Sequence, residues 1–181
     1  SGKSTLVKAM SHVLREAHGV STAVLSLDDF YLTKGARQAM AETVHPLFAT
    51  RGVPGTHDLA LLTRTIAALR GSGLIPLPHF DKATDDRTEM VHWRQVSAPV
   101  QLILLEGWCV GLSPQSEDEL EAPINPMEAE QDPSLVWRRE VNRQLVDGDA
   151  DVDGKLEALL LQPARLLGSA LRGSPWRRWQ T

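Results

Sequence analysis

The sequence predicts an α/β domain with a mostly parallel sheet flanked by helices, on three observations. An amphipathic stretch, Lys3 to His18, runs into a short apolar segment, Thr22 to Leu27. A second apolar segment, Val100 to Gly107, ends on the carboxylate Glu106 and Gly107. Further helical patterns alternate with apolar runs, the arrangement that buries parallel strands beneath helices.

Each element has a local reason. In Lys3 to His18 the residues Leu6, Met10, Val13, Leu14 and Ala17 are spaced as one helical face, and Gly19 is a left-handed stop. Thr22 to Leu27 is long enough for a buried strand. Asp58 reads as the N-cap of a second helix, with Leu59, Leu62, Ile66 and Leu69 inward and Gly71-Ser72-Gly73 closing it. Val100 to Gly107 is the next buried strand. Residues 113 to 133, rich in Pro, Glu and Asp, read as a surface loop. Asp132-Pro133 then read as N-cap and first turn of a third helix, with Trp137, Val141 and Leu145 inward. Glu157 to Gln162 suggests a last strand, and Pro163 opens a final helix.

Composition narrows the function. The 181 residues are 42% apolar and 23% charged, within the ordinary range for a globular protein, and fit one domain. A net charge of −4 argues against a nucleic-acid or membrane-surface binder acting by bulk attraction. The apolar run from Val100 to Leu112 contains Gln101, Glu106 and Gly107 and is too short to span a bilayer. The one cysteine, Cys109, excludes an internal disulfide and a multi-cysteine metal site and points to a reducing, cytoplasmic setting. Its apolar context suggests a packed thiol. The chain opens on Ser1-Gly2-Lys3-Ser4-Thr5 without an initiator Met or a basic signal region, and is read as a piece cut at its amino end.

Gly2-Lys3-Ser4 before a helix matches the carboxyl half of a Walker A phosphate loop. Glycine lets the backbone approach phosphate, Lys3 reaches the β- and γ-phosphates, the Ser4 hydroxyl holds Mg²⁺, and the helix N-terminus attracts the anion. The triplet is short enough to arise by chance, and the loop's first glycine and its preceding strand are absent from the sequence. Asp28 and Asp29 directly follow the first strand, at the end where open parallel sheets place ligands. One of them can face a bound hydroxyl, or the pair can simply cap a turn. Glu106 stands where an acid would organise Mg²⁺ through water, or it is a solvated strand end.

Two polar loops follow these strands: Arg51-Gly52-Val53-Pro54-Gly55-Thr56-His57-Asp58, and Leu77 to Lys82 with Asp85-Asp86-Arg87. Both could meet an anionic substrate or be ordinary surface. Asp149 to Gly154 imitates half a calcium loop, but its twelfth position is Leu160, so it reads as a solvated acidic turn. No Asn-Lys-x-Asp base-recognition motif supports a GTPase.

Taken as a string, these blocks resemble the D-glycerate 3-kinase family, a branch of the P-loop kinases that includes uridine kinase, phosphoribulokinase and bacterial pantothenate kinase. The resembling stretches are Ser26 to Thr33, His45-Pro46-Leu47, Thr50 to Asp58, Phe80-Asp81-Lys82 with Asp85-Asp86-Arg87, and Leu105 to Trp108. Trp137-Arg138, Val141-Asn142 and Trp176-Arg177 with Gln180 add to them, so the likeness covers almost the whole chain. The resemblance implies a P-loop NTPase-type three-layer fold and transfer of a phosphoryl group from ATP, with Mg²⁺, to a hydroxyl of D-glycerate. It implies Asp28 as the group taking the hydroxyl proton, and Gly2, Lys3, Ser4 and Thr5 as the nucleotide loop. Ser4 and Glu106 would hold the metal, and Arg177 would be a lid arginine over ATP. Tyr31, His45, Arg51, His57, Lys82 and Arg87 would line the acceptor, Arg51 first among the carboxylate's cations. The partner is thus a small molecule, and the oligomeric state stays open. A uridine or pantothenate acceptor, or a non-catalytic nucleotide-binding relic, are the alternatives.

Overall fold

The computed structural model of the protein describes residues 2–152. The strand read at 157–162, the helix from Pro163, Leu160 and Arg177 lie outside the described residues. The chain divides into two compact units. One is Ser1–Lys34 with His57–Val110, and the other is Gly35–Thr56 with the described part of the stretch from Gly111.

In the first unit, helix α1 (Lys3–His18) leads through Gly19 (φ 64°), whose N–H closes on Arg15 and Leu14 carbonyls, into strand β1 (Thr22–Ser26). The face turned inward differs from the expected one. Leu6 and Val13 are 43% and 54% exposed, whereas Ser11 is buried with its hydroxyl bonded to that of Thr22, and Ser4, Val7, Met10 and Leu14 are half-buried. A strand-borne hydroxyl partner lets a serine occupy the inner face, which apolar periodicity cannot show.

Strand β1 passes into a 3-10 turn, Leu27–Phe30, that buries Leu27 and Phe30 and carries Asp28 and Asp29. Helix α3 (Leu59–Leu69), preceded in the chain by α2 (Lys34–Thr43), starts at Asp58, whose side chain accepts from the Leu61 N–H at 2.9 Å. It buries Leu62, Ile66 and Leu69 as expected, and Thr65 with them. It is therefore the third helix of the chain, because α2, with only Arg37 buried, carries little apolar signal.

Strand β2 (Gly73–Leu77) pairs antiparallel with β5 (Arg94–Ala98), and β3 (Phe80–Asp81) pairs antiparallel with β4 (Asp86–Arg87). The parallel pairing expected of the main sheet is present in β1 with β6 (Leu102–Glu106), in the register Thr22↔Leu102 to Ser26↔Glu106, beside which the two antiparallel pairs were not expected. Cys109 is buried, as expected of a packed thiol.

The second unit corrects the reading of residues 113 to 133 as a surface loop. It holds two short helices, α4 (Glu117–Glu121) with a Ser116/Glu119 capping box and α5 (Pro126–Gln131) capped by Asn125. Leu120, Glu128 and Asp132 are buried. Asp132 is not the N-cap of a helix starting at Pro133. Helix α6 (Val136–Val152) begins three residues later, and Asp132 accepts from the Trp137 and Arg138 N–H groups at 2.9 and 3.1 Å. The acidic stretch from Asp149 read as a turn continues this helix as far as Val152. Trp137, Val141 and Leu145 are buried on its inner side, as expected.

Arg138 is buried with them and fully used. Its Nε donates to Asp132 Oδ2 at 3.0 Å, and its terminal nitrogens reach the carbonyls of Leu120 and Asp132. Removing one partner of such a buried pair strands the other's charge. Asp132→Ala should therefore cost about 3–5 kcal/mol in urea unfolding, while Arg139→Ala, in the exposed pair with Glu117, should shift it by about 0.5 kcal/mol or less.

Candidate active site

The ends of β1 and β6 lie side by side, and this sets the first half of the site. Glu106, the last residue of β6, pairs in register with Ser26, the last of β1. Its Oε1 accepts from Ser26 Oγ at 2.9 Å and from Ser4 Oγ, in the first turn of α1, at 2.8 Å. Lys3 is the first residue of that helix and Gly2 its N-cap.

Gly107 lets the chain leave the strand close against the 3-10 turn. A Cβ there would stand 2.7 Å from Leu27 Cβ and 3.0 Å from Val110 Cγ2, so no larger residue fits without displacing backbone. Leu27 directly precedes Asp28, and the close approach draws the strand end and the aspartate pair to one rim.

The two aspartates divide the work. Asp29 Oδ1 accepts from the Phe80 N–H at 3.2 Å and from His79 Nδ1 at 3.1 Å, which pins the start of β3 to the turn. Asp28 instead accepts from Lys82 Nζ at 2.7 Å on Oδ2 and from the Tyr31 hydroxyl at 3.3 Å on Oδ1. The β3–β4 turn that carries Lys82 is held by Asp81, which accepts from Ala83 N–H and the Thr84 hydroxyl. Those bonds, the Ala83 N–H foremost, keep the Asp81 carboxyl below its ordinary value.

Behind Asp28, Tyr31 stacks on His57 with ring centroids 4.4 Å apart and meets Phe80 edge-on at 5.3 Å. Arg87 donates from one terminal nitrogen to the Tyr31 carbonyl at 2.8 Å and to Asp58 Oδ2 at 3.1 Å. It is thus a brace between the β3–β4 ribbon and the start of α3. His57 is buried with Nε2 unbonded, and burial pushes its pKa down to about 4 against a smaller opposing pull from Asp28.

A cavity of about 800 Å³ opens on this arrangement, lined among others by Ser4, Ser26, Asp28, Asp29, Lys82 and Glu106. The structure thus brings Ser4, Glu106, Asp28 and Lys82 around one space, with Tyr31, His57 and Arg87 packed behind Asp28. His45 and Arg51 are in the second unit, where His45 Nδ1 caps a 3-10 turn by accepting from the Leu47 N–H and Nε2 stands 3.8 Å from Asp132. Ser26, His79 and the anchoring role of Asp29 were not among the expected site residues. Strand alternation could have found Ser26, since Thr22, Val24 and Ser26 share one face of β1.

The donor set at this corner suits a hard cation such as Mg²⁺. Ser4 and Glu106 offer a hydroxyl and a carboxylate in direct contact, all oxygen, as a hard cation prefers, and Mg²⁺ keeps several waters and phosphate oxygens for the rest. No group of three or more His, Cys, Asp or Glu among the described residues offers a fuller cage. The residues fit a loosely held Mg²⁺. No helix among the described residues is long and apolar enough to cross a membrane.

No protein-family model matches the chain. It is 36% identical over 132 residues to the chloroplastic D-glycerate 3-kinase of Arabidopsis thaliana, covering 67% of this chain and 28% of the relative. It is 32% identical over 157 residues to the uncharacterized kinase mug58 of Schizosaccharomyces pombe, covering 81% of this chain and 55% of that one. The chain thus spans about half the length, or less, of these curated relatives. Among solved structures, the D-glycerate 3-kinase of Cryptococcus neoformans superposes with a TM-score of 0.67 at 28% identity, over 80% of this chain and 55% of that one. The YGR205w protein does so with a TM-score of 0.66 at 27% identity, over 86% and 55%.

Helix α1 against a parallel strand pair, with these neighbours, defines a fold of the P-loop kinase type. Within that class the chain belongs to the family of D-glycerate 3-kinase and its related kinases.

The buried His57 makes a pH prediction. An imidazole whose pKa falls from 6.5 to about 4 on folding stays neutral inside, while the unfolded chain takes up a proton below pH 6.5. Its contribution is complete above pH 6.5 and is lost as pH falls from 6.5 toward 4, by about 3 kcal/mol in all. Urea unfolding between pH 7 and 4 should show this slope, and His57→Phe, which keeps a ring against Tyr31, should remove it.

Proposed function

We propose that the protein transfers the γ-phosphoryl group of ATP to a hydroxyl of D-glycerate, forming phosphoglycerate and ADP. The observation that carries this is the meeting of the Ser4–Glu106 pair and Asp28 around one cavity. Gly2, Lys3, Ser4 and Thr5 at the start of α1 form the nucleotide side, where helix N–H groups and the Lys3 charge receive phosphate. Ser4 and Glu106 would hold Mg²⁺, which would supply charge neutralisation at the phosphates.

Asp28 receives the proton of the attacking hydroxyl. The new O–P bond forms as the bond to the bridging oxygen of ADP breaks, and the proton ends on the Asp28 carboxylate. Phosphoryl transfer needs little covalent work from the protein, so positioning and charge carry most of the rate. The packed ring pair Tyr31–His57 and the Arg87 brace hold the aspartate's turn still during this step. A reducing cytoplasmic setting suits a chain with one buried thiol.

The base is testable by conservative exchange. Asp28→Asn keeps shape and loses proton affinity, so kcat with D-glycerate should fall about 10³-fold with the Kd for ATP within twofold by calorimetry. An ADP-release assay on the full-length protein, with D-glycerate, uridine and pantothenate supplied separately, identifies the acceptor. Turnover of uridine or pantothenate in place of D-glycerate would refute the glycerate assignment, and full activity of Asp28→Asn would refute the base.

A further inference from the structure

We infer that Lys82 selects acceptors that carry an anionic group next to the reacting hydroxyl, by exchanging its contact with Asp28 for one with that group. The inference rests on the kinase reading above and adds to it a charge requirement and the residue that imposes it. Asp28 is covered before an acceptor arrives, since Lys82 Nζ stands 2.7 Å from Oδ2 and the Tyr31 hydroxyl 3.3 Å from Oδ1. A neutral alcohol reaching Oδ2 has to compete with a charge-assisted bond and leaves the ammonium without its counter-charge. A hydroxy acid offers a replacement carboxylate, so the ammonium stays paired while Oδ2 turns to the hydroxyl.

The surroundings favour such an exchange. The Lys82 side chain is 60% exposed and that of Asp28 34%, and exposed ion pairs are held weakly. The backbone beneath is fixed at both ends, by Asp29 on the Phe80 N–H and by Asp81 on the turn after it. A firm anchor with a long flexible stem lets the charged head move without moving the ribbon.

Three arginines of this unit are already engaged elsewhere. Arg87 is 14% exposed and already bonded to Asp58 and the Tyr31 carbonyl, Arg94 reaches the Val24 carbonyl, and Arg15 pairs with Glu16.

The test compares D-glycerate with glycerol, its uncharged counterpart, in the full-length wild-type protein and in Lys82→Gln and Lys82→Arg. The expected wild-type preference is about 10²-fold or more in kcat/KM for D-glycerate. Lys82→Gln should lose about 10²-fold on D-glycerate, mostly in KM, and much less on glycerol, so the preference collapses. Lys82→Arg should restore a large part of it, and the Kd for ATP should stay within twofold in both. An equal loss on both alcohols, or an unchanged KM for D-glycerate in Lys82→Gln, overturns the inference and leaves the kinase reading standing. A wild-type protein that phosphorylates uridine or glycerol but not D-glycerate overturns the inference and the glycerate assignment together, while retaining phosphoryl transfer. Absence of transfer to every acceptor overturns the kinase reading and, with it, the inference.

Discussion

One carboxylate oxygen, Oε1 of Glu106, accepts hydroxyls from two different elements, Ser4 in the first turn of α1 and Ser26 at the end of β1. Those two hydrogen bonds hold three chain segments at one corner, and they depend on β1 and β6 ending in register. A slip of one residue would turn Glu106 to the opposite face of the sheet, away from both serines. The parallel pair is therefore less a core element than the ruler that sets the site. Gly107 completes it by letting the chain turn away against Leu27 where a side chain would collide.

From that corner the site extends by a chain of anchors rather than by one rigid wall. Asp29 joins the 3-10 turn to β3, Asp81 fixes the following turn, and Arg87 returns from β4 to the Tyr31 carbonyl and Asp58. Adjacent aspartates thus have opposite duties. Asp29 is spent on two bonds to the β3 segment, while Asp28 faces the cavity with bonds that an incoming molecule can displace. His57 adds stiffness at an energetic cost, since its ring is stacked and buried with Nε2 unbonded.

How much of this was legible follows the same physics. Gly19 and Asp58 marked helix ends correctly because capping is a local matter of one residue's conformation or side chain. Asp28 and Glu106 stood out because strand ends can be read from apolar runs. The β2–β5 ribbon escaped notice because its strands are half-exposed and one contains Pro76, so neither alternation nor an apolar run is strong. The helices within 113–133 were missed because Glu128 and Asp132 read as surface charge, whereas their buried partner Arg138 lies several residues on. Contact between Lys82 and Asp28, 54 positions apart, depends on a hairpin of two-residue strands that no local pattern announces.

The two halves of the site also differ in what supports them, and that bears on how acceptor choice is encoded. The proposed phosphate side rests on a 16-residue helix and the parallel strand pair, so changing Ser4 or Glu106 removes a bond that joins them. On the proposed acceptor side the supports are a four-residue 3-10 turn and two-residue strands, tied by side-chain bonds at the rim. Those rim residues surround Asp28 without belonging to the β1–β6 pair, whose register they do not set. On the proposed reading, a fold of this build can keep one phosphoryl-transfer corner and vary the alcohol it serves, because the side chains around Asp28 stand on a turn and a short ribbon outside the β1–β6 pair.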